Sequence, residues 1–469
     1  MVFSSSLFVL FFLPVFLLTY SLMPKKARNY VLLAFSLIFY AWGAPRFIFV
    51  LIATTIVNFY LVAEMDKRKS KTLMICSVIL NLGLLFVFKY FNFFIDTTDS
   101  LMHLFGGTMP KIMRIALPIG ISFFVFQSIT YTIDVWRGTH QRLKRLSDYV
   151  IYIIAFPQMI AGPIVRFGTI ADELIERNDS FDNKLIGFYK FSIGLAKKVL
   201  IANAMAQEAN LVFEADFQTL NAASAWMGMI AYTFQIYFDF SGYSDMAIGL
   251  GQMMGFHYPE NFKNPYISTS ITDFWKRWHI SLSSFIKDYL YIPLGGNRVK
   301  TKHRLYFNLG LCFLLSGLWH GAAWNFIFWG AFHGLFLILD RVFLLKLLNR
   351  LWRPISILIT FIIVMFGWLI FVIEDIGQLT TYFLHLFDFS QNTETLIKPI
   401  FFPMLIPAVI FSILPYWNFG QKIQNFFFCR ENYKTWQHII LFVCFILLFV
   451  ISTSHIIASD FNPFIYFRF

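Results

Sequence analysis

The stretch SGLWHGAAWNFIFWGAFHG, residues 316–334, joins two apolar runs at 305–319 and 323–340. A bilayer-spanning helix needs roughly 20 mostly apolar residues, so both runs have the character of membrane segments. His320 lies where the runs meet, and an ionisable side chain at membrane depth indicates a functional site by default. The stretch therefore predicts a membrane protein with a polar group inside its apolar layer.

The composition of the whole chain supports this class of protein. Of its 469 residues, 58% are hydrophobic and only 14% are charged, whereas soluble domains average about 25% charged residues. Hydropathy predicts an all-α polytopic membrane protein with about 10–12 transmembrane helices, plus re-entrant and interfacial helices. The candidate spans are residues 5–23, 29–43, 46–64, 72–95, 113–133, 147–164, 185–203, 222–238, 305–319, 323–340, 354–373, 399–416 and 437–456.

The basic residues behind the net charge of +12 lie in short loops between apolar runs. Loops that carry lysine and arginine tend to remain cytoplasmic. Nucleic acid is not an expected partner, because no soluble basic domain exists to bind it. The pattern therefore assigns three early basic groups to the cytoplasmic side: Lys25, Lys26 and Arg28; Lys67, Arg68, Lys69 and Lys71; Arg137, Arg142, Lys144 and Arg145.

Residues 239–304 differ from the rest of the chain because they are polar, aromatic and basic. Loops longer than about 12–15 residues are usually functional or disordered, and the aromatic content argues against disorder. We expect short amphipathic helices at the cytoplasmic interface here, within a single membrane domain that covers residues 1–469.

The sequence ITDFWKRWHIS, residues 271–281, holds the first histidine of interest. On one continuous helix, Trp275, Trp278 and His279 would share a face, while Lys276 and Arg277 would point elsewhere. Spacing alone leaves two interpretations open. One is an interfacial helix with an aromatic belt and lipid-phosphate contacts, and the other is a functional histidine.

His320 is surrounded by small residues that allow backbones or a substrate to approach closely. The alternative is a satisfied histidine in a tight helix contact, and this structural role is favoured for His333, which also precedes a glycine. A histidine can serve as the general base in acyl transfer, but it suits proton translocation or binding equally well. The chain contains no GxSxG motif, which argues against a nucleophilic triad, and no GxxxxGK[ST] motif, which argues against a nucleotide-driven pump. It also contains no HExxH signature and no CxxC pair, so we expect no metal site.

The motifs together resemble the membrane-bound O-acyltransferase family, in particular its bacterial branch of alginate and peptidoglycan O-acetylation proteins. The likeness extends over roughly residues 1–375. The matching motifs are LPIGISF at 117–123, FPQMIAGPI at 156–164, QIYFDFSGYSDMAIG at 235–249, PENF at 259–262, SITDFWKRWHISLS at 270–283, DYLYIPLGGNR at 288–298 and GLWHGA at 317–322.

The resemblance implies a fold of tilted helices around a central tunnel, with residues 239–304 as its cytoplasmic funnel and 305–340 as the helices of the catalytic histidine. It implies His320 as the catalytic residue and His279 as its second polar residue. Acetyl-CoA is the implied acyl donor, with no bound cofactor. The residues expected to contact donor or substrate are Trp275, Lys276, Arg277, Trp278, Arg298, Trp319 and Asn325.

The implied acceptor is an extracytoplasmic polysaccharide, reached directly or through a periplasmic SGNH-type acetyltransferase partner, and the implied location is the bacterial inner membrane, among its lipids. The sequence leaves three alternatives open. The donor could be a D-alanyl carrier protein, as in the teichoic-acid branch of the family. The chain could instead be a transporter, or a non-catalytic scaffold for a periplasmic acetyltransferase.

Overall fold

The computed structural model describes residues 2–110, 112–390, 394–428, 433–459 and 461–465, which form helices and no strand. The predicted all-α class is confirmed. The chain divides into two compact units, one of residues 1–180 and 250–259 and one of residues 181–249 and 260–469. The expectation of one membrane domain over residues 1–469 stays a prediction.

The first unit contains eight described helices. Aromatic packing around the buried Phe156 forms part of its core, where the rings of Phe12 and Phe16 lie 5.4 and 5.0 Å from that of Phe156. The helices are α1 (Phe8–Leu22), α2 (Lys25–Gly43), α3 (Ile48–Arg68), α4 (Lys71–Leu104), α5 (Ile121–Arg137), α6 (Leu146–Ile154), α7 (Phe156–Met159) and α8 (Phe167–Ile170).

The second unit holds the histidines of interest, and its helices are interrupted by short π-helical and 3₁₀ turns. Its helices are α9 (Phe181–Ala196), α10 (Asn203–Phe213), α11 (Ala222–Met253, up to Gly249 in this unit), α12 (Ile271–Arg277), α13 (Ile280–Ile286), α14 (Lys302–His320), α15 (Trp324–Leu339), α16 (Leu345–Leu348), α17 (Arg353–Val372), α18 (Ile376–His385), α19 (Phe401–Ile413), α20 (Asn418–Phe428) and α21 (Thr435–Ala458).

Three predicted span boundaries are tested by these helices. The span predicted at 113–133 begins only at Ile121, because Pro118 and Gly120, whose φ is +75°, interrupt the backbone before it. The span predicted to end at 238 continues as α11 to Met253. The polar residues of 239–253 remain helical because most of this stretch is buried within the fold. The candidate span at 147–164 is interrupted, because this stretch holds the separate helices α6 and α7.

Length and composition alone qualify four described helices as membrane spans, or five if the bent pair Phe401–Tyr416 and Asn418–Phe427 is one span. The four are α3, α4, α17 and α21. Several other apolar helices are shorter than 18 residues, such as α5 with 17 and α15 with 16. The chain is a multi-pass membrane protein, and the number of about 10–12 spans stays a prediction.

A buried ion pair ties together three distant parts of the second unit. Lys198 Nζ lies 2.8 Å from Asp239 Oδ1, and their side chains are 1% and 3% exposed. The backbone N–H of Ile465 donates to Asp239 Oδ2 at 2.9 Å, and Lys198 also donates to the carbonyl of Pro463. Buried charges are tolerated where partners and hydrogen bonds satisfy them, so this clamp holds residues 463–465 against α11.

Candidate functional site

His320 is the last residue of α14 and lies in an aromatic enclosure. Gly321 has an extended backbone with φ −157° and ψ 154°, which ends the helix at the histidine. The imidazole ring lies 5.0 Å from the rings of Trp319 and Trp329 and 5.5 Å from that of Phe371. His320 is 7% exposed, so its ring is largely shielded from solvent at the end of a helix.

Glycines allow α14 and α15 to pack as a tight hairpin around this histidine. A Cβ on Gly317 would overlap the carbonyl of Phe326, and a Cβ on Gly330 would overlap the carbonyl of Phe313. A Cβ on Gly321 would overlap the ring of Phe326. The small residues seen in the sequence therefore bring backbones together, as small residues do at membrane helix contacts.

The structure corrects the predicted continuous helix through Trp275, Trp278 and His279. Helix α12 ends at Arg277, Trp278 is extended, and His279 has a left-handed backbone with φ 44° and ψ 53°. Such a backbone is costly for a residue with a Cβ and persists only where its surroundings enforce it. All three side chains are nevertheless buried, with the His279 side chain fully enclosed.

Asn261 fixes the orientation of the His279 imidazole. An amide oxygen only accepts hydrogen bonds, so the Nδ1–H of His279 donates to Asn261 Oδ1 at 3.0 Å. Ser281 Oγ donates to the same oxygen at 2.8 Å, and Asn261 Nδ2 donates to Ser244 Oγ at 3.0 Å. Burial lowers the pKa of His279 to about 3, so its ring is neutral and Nε2 carries the lone pair.

The two histidines, 41 residues apart in the sequence, meet in the second unit. Their ring centroids are 6.2 Å apart, and the Trp319 ring lies 5.8 Å from His279. Phe240 packs edge-on against His279 at 4.7 Å. Because aromatic rings exclude water from an imidazole pair, this arrangement can hold a proton acceptor beside a reacting hydroxyl in a low-dielectric site.

The remaining residues predicted to contact donor or substrate are dispersed around this pair. Trp275 Nε1 donates to His333 Nδ1 at 3.4 Å, and the Trp278 ring packs 4.6 Å from that of Trp368 in the core. Asn325 Nδ2 donates to the carbonyl of Phe371 at 2.9 Å, which links α15 to the end of α17. Trp319 is the one among these residues whose ring contacts both histidines.

The predicted cationic residues have separate environments. Arg277 pairs with Asp273, with 2.9 Å between Nε and Oδ1, and donates to the carbonyl of Lys263. Lys276 and Arg298 are exposed, and Arg298 directly follows the turn at 292–297. Their role toward a donor stays a prediction.

Sequence reasoning missed four residues that shape the site: Asn261, Ser281, Trp329 and Phe371. Asn261 lies in the PENF motif at 259–262 and Ser281 directly follows the histidine motif, so a polar residue near His279 was available as a signal. Phe371 lies in an ordinary apolar run, and only the packing of α17 brings it to His320.

Comparison with known proteins identifies relatives over the full length of the chain. Residues 121–374 match the MBOAT, membrane-bound O-acyltransferase family. The "Probable alginate O-acetylase AlgI" of Pseudomonas putida is 38% identical over 100% of both chains. The "Peptidoglycan O-acetyltransferase" of Helicobacter pylori is 37% identical over 73% of this chain and 71% of its own. The "Teichoic acid D-alanyltransferase" of Bacillus subtilis is 30% identical over 54% of this chain and 68% of its own.

Proposed function

Because the chain belongs to the membrane-bound O-acyltransferase family and is an O-acyltransferase, we propose that it moves an acetyl group from a cytoplasmic donor across the membrane. Its relatives support a role in the O-acetylation of a polysaccharide. The donor is acetyl-CoA, the acceptor is an extracytoplasmic polysaccharide, and the location is the inner membrane of a bacterium. The acetyl group reaches the polymer directly or through a periplasmic SGNH-type acetyltransferase.

The observation that carries this proposal is the buried histidine pair. His320 and His279 lie 6.2 Å apart between ring centroids, with aromatic rings around them. His279 is held in one orientation by Asn261. A fixed neutral imidazole next to a second imidazole suits proton transfer to and from an oxygen or sulfur atom.

The imidazole of His320 acts as the general base. It removes the proton of the acceptor hydroxyl while the oxygen attacks the thioester carbonyl, so that a C–O bond forms. When the tetrahedral intermediate collapses, the C–S bond breaks and the imidazolium returns the proton to the departing thiolate. His279 orients the reacting hydroxyl or relays the proton through Nε2. Lys276, Arg277 and Arg298 attract the phosphates of the donor. Trp319 lines the approach to the histidines, and Trp275, Trp278 and Asn325 support this wall through their buried contacts with His333, Trp368 and Phe371.

A second candidate is transfer from a D-alanyl carrier protein, favoured by the 30% identity to a teichoic acid D-alanyltransferase. The two candidates share the histidine chemistry and differ in the acyl group and its carrier. Full-length identity to the alginate relative favours the acetyl donor.

The test uses inverted membrane vesicles that expose the cytoplasmic face of the full chain. The vesicles are prepared from a host that makes the candidate polysaccharide. They receive either ¹⁴C-acetyl-CoA or a carrier protein loaded with ¹⁴C-alanine. The measurement is the base-labile radioactivity in the polymer. We expect the polymer to be labelled from acetyl-CoA and not from the carrier protein. In His320→Ala, labelling from acetyl-CoA should be lost. His103→Ala, at an exposed histidine of α4, is the matched control. Retained transfer by His320→Ala would contradict the proposal, and label from the carrier alone would establish the second candidate.

A further inference from the structure

We propose that a basic cavity in the first unit binds a phosphate-bearing anion from the cytoplasmic side. The cavity has a volume of about 1190 Å³ and is lined by residues from three segments of this unit. The first segment is the end of α1 with the beginning of α2, the second runs from residue 139 to 148, between α5 and the beginning of α6, and the third lies within residues 167–179. The cavity is lined by none of Lys276, Arg277 and Arg298, so for a nucleotide ligand it would be a second phosphate site beside the one in the proposed function. The inference does not rest on the histidine chemistry, and its failure would leave the proposed function unaffected.

One wall of the cavity is already fixed by internal contacts. Arg28 forms an ion pair with Asp179, and these side chains are 15% and 9% exposed. Arg177 donates to Asn29 Oδ1 and, at 3.3 Å, to the hydroxyl of Tyr20. Its guanidinium also lies 4.3 Å from the centroid of the Phe256 ring. These contacts make a preorganised wall, which lowers the entropic cost of binding a ligand.

The rim of the cavity carries lysines that are not used internally. Lys25, Lys26 and Lys144 are exposed, and none of them makes an ion pair with another residue of the described ranges. Seven cationic side chains line the cavity against four carboxylates, and one of these carboxylates, Asp179, is paired with Arg28. A concave surface with excess charge of one sign concentrates oppositely charged ligands, so the cavity favours an anion.

The size and donors of the cavity indicate the class of anion. Pockets for small ligands commonly measure about 300–1,000 Å³, so this cavity accommodates a ligand larger than a free phosphate ion. Lysines attract phosphate as point charges, and an arginine such as Arg145 can bind it through planar N–H groups. Arg142 also lines the cavity and lies 3.6 Å from Asp66, between Nε and Oδ2. The basic loops that form the rim are those assigned to the cytoplasmic side by their charge.

Two sources present this chemistry on the cytoplasmic side. One is the 3′-phospho-ADP portion of a nucleotide-type acyl donor, and the other is the phosphodiester headgroup of an anionic lipid in the inner leaflet. Both would place phosphate oxygens against the same rim lysines, so one set of substitutions tests both.

The test compares two triple variants of the full chain in nanodiscs. The cavity variant is Lys25→Gln with Lys26→Gln and Lys144→Gln. The control variant is Lys67→Gln with Lys71→Gln and Lys346→Gln, which removes the same charge from exposed lysines in α3, α4 and α16 that do not line the cavity. Thermal unfolding of both variants checks that each is folded.

The first arm measures the Kd of adenosine 3′,5′-bisphosphate by calorimetry in phosphatidylcholine nanodiscs. The second arm measures phosphatidylglycerol retained by the purified protein, using native mass spectrometry. A Kd at least ~10-fold weaker in the cavity variant, with a change below about 2-fold in the control, identifies the nucleotide source. Loss of phosphatidylglycerol from the cavity variant alone identifies the lipid source. If neither arm separates the cavity variant from the control, the proposal is overturned.

Discussion

His320 and His333 have similar neighbours in the sequence and different surroundings in the structure. Each is preceded by an aromatic residue and followed by a glycine, in Trp319–Gly321 and Phe332–Gly334. Each imidazole also lies 5.0 Å from the ring of Trp329. Local sequence and a shared neighbour therefore do not distinguish the two histidines.

Their places within the helices do distinguish them. His320 ends α14, retains 7% exposure and faces His279 across 6.2 Å. His333 lies in the middle of α15, is fully buried and accepts a hydrogen bond from Trp275. Its Nε2 lies so near Gly367 that a Cβ there would be 2.6 Å away. Of the two histidines, His320 is the one that retains some exposure and faces a second imidazole, which are the features that the proposed general base requires.

The largest expected effect comes from substituting each histidine by leucine. His320→Leu should lower kcat by about 10²–10⁴-fold, because a general base is removed. His333→Leu should leave kcat within about 10-fold, while the unsatisfied Trp275 N–H costs about 1–3 kcal/mol of stability. Acetyl transfer in vesicles and thermal unfolding in detergent measure the two quantities. Equal losses of kcat in the two variants would contradict different roles for the two histidines.

A smaller effect is expected at the glycine that follows each histidine. Gly321→Ala places a Cβ in the Phe326 ring, and overpacking of this kind costs about 1–3 kcal/mol. Gly334→Ala meets Phe313 Cβ at 3.3 Å and Gly310 Cα at 3.4 Å, so its stability should change by less than about 1 kcal/mol, helped by the helix preference for alanine. Thermal unfolding midpoints of the two variants test this difference, and equal midpoints would show that the turn after His320 can relax.

The smallest effect is expected for Trp275→Phe, which removes the donor to His333. The loss should be about 0.5–1.5 kcal/mol, typical of one hydrogen bond, with kcat nearly unchanged. Combined with His333→Leu, the two losses should be less than additive, because both remove the same contact. A double-mutant cycle of unfolding free energies measures this coupling. Additive losses, or a fall in kcat comparable with that of His320→Leu, would assign Trp275 a role beyond holding His333.

The sequence was sufficient for the helices whose apolar runs have clear ends, such as α17 and α21. It also singled out the two histidines that meet. It could not locate the break after Arg277, because the left-handed backbone of His279 is enforced by tertiary contacts with Asn261 rather than by a local breaker residue. Periodicity placed Trp275 on the face of His279, but the break turns Trp275 toward His333 instead.

The prediction that a span ends at residue 238 was wrong for a related reason. Polar residues such as Asp239 and Ser244 suggested a surface segment, but both are buried and hydrogen-bonded to distant residues. A hydropathy pattern reports side-chain polarity and cannot report which partner the polarity will find. The distant hydrogen-bond partners of these buried polar groups could therefore not be predicted from the sequence.

The clamp at Lys198 and Asp239 also imposes an order in time. Asp239 and its partner Ile465 are 226 residues apart, and Lys198 and Pro463 are 265 apart. At roughly 5–20 residues per second of synthesis, these groups wait on the order of 10–50 s for their partners. During that interval, the contacts within the described residues leave the two charges with each other and Lys198 with Asn203. This part of the second unit therefore cannot complete its folding until residue 465 has been synthesised.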